Sequence, residues 1–130
     1  MNLESPKVNT KKSQQEMYDF LTEVENYKQL MPDSIEKFEI TKPNSFLFSL
    51  KGMPEIELEI KETVSPELVV LGSTSDKFNF SLNTIIEAAG DNSSDVQLLF
   101  DGKFNAMMAM MVKGPLKKFI TTLSENMAKI

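Results

Sequence analysis

Glu55-Ile56-Glu57-Leu58-Glu59-Ile60-Lys61 alternates charged and apolar side chains without a break. Successive side chains of an extended chain point to opposite faces. Ile56, Leu58 and Ile60 therefore share one face, and Glu55, Glu57, Glu59 and Lys61 share the other. One face is buried and the other is wet, as in an antiparallel sheet open to solvent on one side.

The same period of two runs outward in both directions, from Ile35 to Phe104. Upstream, Phe38 and Ile40 alternate with charged residues, and Phe46, Phe48 and Leu50 follow the Pro43-Asn44 turn. Gly52-Met53-Pro54 marks the next break. Downstream come a strand over Leu68 to Leu71, the alternation Phe78, Phe80, Leu82, Thr84, Ile86, and the alternation Val96, Leu98, Phe100, Gly102, Phe104. Gly90-Asp91-Asn92-Ser93-Ser94 forms the hairpin loop between the last two. Six consecutive strands with short connections make an antiparallel meander.

Helical spacing flanks the meander. Ser13-Gln14-Gln15-Glu16 is a capping-box pattern, followed by Met17, Phe20, Leu21 and Val24 on one face. A first helix is expected from about Ser13 to Glu25, with a short turn or second helix over Tyr27, Leu30 and Met31 that Pro32 closes. Before it, Asn2 to Val8 is extended, and Pro6 marks an edge position or a bulge. At the other end, Val112, Leu116, Phe119, Ile120, Leu123, Met127 and Ile130 form one wide helical stripe. Gly114-Pro115 falls inside it, so a kink is expected near Met111. The order is strand, helix, six strands, long helix. A sheet with one apolar face must cover it, and the long C-terminal helix is large enough to do so. The fold class is α+β: a curved antiparallel seven-stranded sheet wrapped around the C-terminal helix, with one or two short helices after strand 1.

Composition limits the chemistry. The chain has 130 residues, expected to form a single domain, with 14 basic and 19 acidic side chains, a net charge of -5, no cysteine and no histidine. Thiolate and imidazole nucleophiles, bases and metal ligands are thereby excluded. An acidic chain without a basic cluster is a poor nucleic-acid binder. No stretch is apolar and long enough for a membrane span or a signal peptide, and no lipidation motif stands at either end, so a cytoplasmic location is expected. No cofactor and no metal are expected.

The stretch Met17-Tyr18-Asp19-Phe20-Leu21-Thr22-Glu23-Val24-Glu25-Asn26-Tyr27-Lys28-Gln29-Leu30-Met31-Pro32 resembles the helix-to-proline segment of the START and Bet v 1-like superfamily, also called SRPBCC. It is most similar to the version in coenzyme Q-binding proteins, where an acidic-Val-acidic-x-Tyr run leads to Leu-Pro. Gly114-Pro115-Leu116 in the final helix resembles members of the same group. The resemblance implies the helix-grip fold over nearly the whole chain. It also implies a hydrophobic small molecule or lipid bound between sheet and C-terminal helix. Only about ten residues separate the first helix from the second strand, fewer than in large-cavity members, so the cavity is expected to be small or filled. The superfamily also contains polyketide cyclase or dehydratase enzymes, and modules that bind proteins through their surfaces with a filled core.

On this reading the ligand wall draws Phe20 and Val24 from the first helix, and Phe48 and Leu58 from the meander's first half. Phe80, Leu82, Phe100 and Phe104 come from its second half, and Met108, Met111 and Val112 from the last helix. A pocket wall and a plain core have the same apolar pattern, so each of these residues also reads as core. Met107-Met108-Ala109-Met110-Met111 serves as an adaptable ligand wall, as core filling, or as a surface for a homodimer or protein partner. Glu62 continues the inward parity of Ile60, which would make it the candidate acid of an enzyme; a bulge or frayed end would turn it outward. Glu55, Glu57 and Glu59 stand about 7 Å apart on the wet face and read as a solvated ladder. Thr84 has inward parity, with a hydroxyl for a ligand or a neighbour. Tyr18 and Tyr27 read as rim residues or gates, and Lys113, Lys117 and Lys118 as a solvated stripe or a membrane contact.

Overall fold

A computed structural model describes residues 1–74 and 79–130 of the chain. In order, the elements are β1 (Asn2–Glu4), β2 (Val8–Thr10), α1 (Gln14–Leu21), a 3₁₀ helix (Val24–Leu30), β3 (Ile35–Lys42), β4 (Ser45–Leu50), β5 (Ile56–Val64), β6 (Leu68–Ser73), β7 (Asn79–Gly90), β8 (Ser93–Lys103) and α2 (Ala106–Met127). The strands form one antiparallel sheet in the order β1-β8-β7-β6-β5-β4-β3, with β2 also on β8. The expected meander is therefore β3 to β8. Phe78 lies outside the described residues.

The sheet has eight strands rather than seven because the first extended segment is two. Glu4 faces Leu99 and Val8 faces Val96, so residues 5–7 oppose only residues 97 and 98. That is a bulge at Pro6, which has no N–H for the ladder. Ser5 holds it in place: its N–H donates to Leu98 O, and its Oγ accepts from Leu98 N, both at 2.9 Å.

α1 begins with the expected capping box. Glu16 N donates to Ser13 Oγ at 3.2 Å, and Ser13 N donates to Glu16 Oε1 at 3.1 Å. The helix ends at Leu21, four residues before the expected Glu25. Its last carbonyls find side-chain donors, and Glu23 N closes a tighter turn on Phe20 O at 3.4 Å. Asn26 Nδ2 donates to Phe20 O at 3.0 Å, and the Tyr27 hydroxyl to Leu21 O at 2.8 Å. The chain then tightens into the 3₁₀ helix, which buries Val24, Tyr27 and Leu30.

α2 runs unbroken through Pro115, with Asn105 Oδ1 accepting from Met108 N at its start. Its 22 residues span about 33 Å, enough to cross the roughly 24 Å between β1 and β4. It packs on β8, β1, β2 and the 3₁₀ helix, and its Phe119 stacks on Phe48 of β4 at 5.1 Å. Val112, Leu116, Phe119, Ile120, Leu123 and Met127 are buried, as their spacing requires.

Candidate apolar ligand site

The space between sheet and α2 is largely occupied by the chain's own rings. Tyr27, Phe46, Phe48 and Phe119 meet in sequence with centroid spacings of 5.0, 5.9 and 5.1 Å, the outer pairs stacked and the middle pair tilted. Val24, Phe48, Leu58, Leu82 and Val112, expected along a ligand wall, are buried members of one continuous core cluster. Phe80, Phe100 and Phe104 form a second aromatic group, with centroids 4.9, 6.5 and 6.2 Å apart. Gly102 lets it close: a Cβ there would stand 2.8 Å from the Phe104 ring and 2.9 Å from the Phe100 ring.

Three expectations need correction. Met111 faces solvent rather than the interior: Met107, Met110 and Met111 are 74%, 85% and 68% exposed. The buried stripe through Val112 and Leu116 fixes the helical phase, and of this cluster only Met108, one turn before Val112, packs against the core. Glu62 is exposed, because the β5–β6 register shifts between Ile60 and Glu62 and ends the inward parity. Tyr27 is not a rim residue. It is buried, and burial pushes its phenol pKa well above the usual range. Phe20 is half-buried beneath Lys12, whose Nζ lies 5.8 Å from the ring centroid, and packs against the edge of the core cluster.

No Asp, Glu or Lys is buried among the described residues, and none of their acidic groups clusters to hold a metal. The ladder on the wet face is satisfied there. Glu55 pairs with Lys37 at 3.0 Å and Glu59 with Lys61 at 2.6 Å. Glu57 accepts from Thr74 at 2.7 Å, and hydroxyl hydrogen bonds from Thr41 and Thr74 hold its carboxyl below the usual range. Among the described residues one interior polar atom is left over: Thr84 Oγ1, on a side chain 1% exposed, has no hydrogen-bond partner there.

The apolar interior reaches the surface at a cleft of about 370 Å³. Pro32 and Ser34 form one wall, Leu50, Lys51 and Met53 a second, and Gly114, Pro115, Lys118 and Phe119 a third. Each wall has a local cause. The β4–β5 turn is closed by Met53 N donating to Leu50 O at 3.0 Å, with Gly52 at φ +83°. Lys51 N donates to Ser34 O at 3.0 Å and ties that turn to the chain leaving Pro32. On α2, Gly114 has no side chain, and a Cβ there would meet nothing within 4 Å. Phe119 links the cleft to the Phe48 stack. Three other depressions, of about 490, 440 and 400 Å³, have no wall from α2.

None of the residues expected to line a ligand site borders this cleft. The sequence signals for it were Gly52-Met53-Pro54, read as a break between strands, and Gly114-Pro115, read as a helix kink, neither of them as a wall.

No protein-family model matches the chain, and no curated protein does. Solved structures do. A START superfamily protein from Mycobacterium smegmatis superposes with a TM-score of 0.70 at 13% identity, covering 98% of this chain and 94% of that one. The chain has the START/Bet v 1-like helix-grip fold. Norcoclaurine synthase from Thalictrum flavum, in complex with dopamine and hydroxybenzaldehyde, gives 0.73 at 12% identity over 99% of this START-like chain and 84% of the enzyme. The di-domain ARO/CYC of the BE-7585A biosynthetic pathway gives 0.67 at 12% identity, over 97% of this chain and 46% of that protein. At these identities the likeness is one of fold. Among the described residues, no helix is long and apolar enough to cross a membrane.

Proposed function

We propose that this START-like chain binds a small apolar molecule in the cleft between α2 and the β4–β5 turn. The observation that carries the reading is the cleft itself: about 370 Å³, mostly apolar, and continuous through Phe119 with the core. Small-molecule sites of this size and composition are lined by apolar groups with few polar ones. The complex of norcoclaurine synthase with dopamine and hydroxybenzaldehyde supports small ligands on this fold. A cyclase would need an inward carboxylate, and Glu62 does not supply one. The site is therefore read as binding without chemistry, shifted outward from the sheet–helix interior that the sequence suggested.

Gly114→Leu tests this directly. Its side chain enters open space, so the core is not strained, and losing a helical glycine raises stability by about 0.5–1 kcal/mol. The same side chain narrows the cleft that Gly114 lines. Titration with Nile red, a neutral apolar dye, should give saturable fluorescence enhancement for the parent chain and at least tenfold weaker binding for the variant. Equal binding by a folded Gly114→Leu chain would remove the cleft from consideration.

A further inference from the structure

The charge of the cleft is one-sided. Its wall contains Lys51 and Lys118 and no Asp or Glu. Both lysines are exposed, and neither has an ion pair or side-chain hydrogen bond among the described residues. Elsewhere on the molecule the ammonium groups of Lys7, Lys37 and Lys61 sit on carboxylates, and that of Lys117 donates to Glu4 O. In a chain of net charge -5, a rim that carries two unpaired cations and no carboxylate gives this apolar cleft a locally positive edge.

From this arrangement we infer that the cleft selects amphiphiles that end in a carboxylate. The apolar part lies against Phe119, Leu50, Met53 and Pro115, and the carboxylate lies at the rim between the two ammonium groups. The inference rests on the cleft being the ligand site. It adds the chemical class of the ligand. Lys51 is well placed for the role because its backbone is tied to Ser34 and to a tight turn, so little ordering of its main chain is required on binding. Lysine is a point charge on a flexible stem and meets an anion without a fixed fork geometry.

Isothermal titration with decanoate, decanol and acetate, below the micelle concentration, separates the contributions. An exposed ion pair is worth a few-fold in affinity, so two give decanoate an advantage over decanol of about tenfold. That ratio should shrink in 1 M salt, where the screening length is about 3 Å. In the doubly substituted chain Lys51→Gln, Lys118→Gln it should approach one. In the control Lys11→Gln, Lys129→Gln, which removes equal charge away from the cleft, it should persist. Equal affinity of the parent chain for decanoate and decanol would overturn the anion selection and leave the apolar cleft standing. A ratio that survives in the cleft variant, or acetate binding as tightly as decanoate, would also overturn the selection. No binding of either ten-carbon probe would overturn both this inference and the proposed function.

Discussion

At the scale of single residues, Thr84 separates parity from purpose. Its inward position follows from the alternation with Leu82 and Ile86, and the structure buries it as that alternation requires. What its hydroxyl bonds to depends on neighbours on β6, β8 and beyond, which spacing within one strand does not encode. A buried hydroxyl without a partner costs about 1–3 kcal/mol. Thr84→Val keeps the shape and should stabilise the chain by about 1 kcal/mol in urea unfolding. A comparable loss of stability would show that the hydroxyl is bonded. Glu62 teaches the complementary lesson. Parity carries a reading only until the ladder slips, and the slip after Ile60 involves pairing with β6 that no local pattern reveals.

At the scale of elements, alternation and capping were legible and local. The six strands of the meander and the Ser13–Glu16 box appear where the sequence placed them. The early end of α1 was not legible, because the carbonyls of Phe20 and Leu21 are bonded by Asn26 and Tyr27 side chains six residues on. The cleft was missed for a similar reason: its three walls, at Pro32 and Ser34, at the β4–β5 turn and at Gly114 to Phe119 of α2, are far apart in sequence and are brought together only by α2 lying across the sheet. Gly52 makes one of those walls. At φ +83° with nothing within 4 Å of a Cβ, the demand is conformational rather than steric. Gly52→Ala should therefore cost about 1–2 kcal/mol in chemical denaturation. An unchanged midpoint would mean the turn relaxes freely, and a rigid cleft wall would then be lost from the account.

For the molecule as a whole, acid should be the weak side. Glu57, Glu59 and Glu16 all have carboxyls held below the ordinary value of 4.5 by hydrogen bonds, from hydroxyls and the Ser13 backbone N–H and, for Glu59, from Lys61. A depressed folded pKa contributes stability that is present above the unfolded value and is lost as pH falls through the folded one. Thermal stability should therefore decline as pH drops below 4.5. In Glu57→Gln that decline should be shallower, as followed by circular dichroism melts between neutral pH and the acid limb. A steeper decline in the variant would contradict the assignment.

The proposed place of ligand entry is the α2 cleft and not the sheet–helix interior. Glycine amides report on both. Gly114 lines the cleft and Gly52 sits in its turn, while Gly102 lies against the Phe100 and Phe104 rings at the other aromatic group. A ¹⁵N–¹H correlation spectrum titrated with decanol should show saturable shifts at Gly52 and Gly114, with Gly102 still. Shifts centred on Gly102 with Gly52 and Gly114 unmoved would put the ligand in the interior and contradict the account.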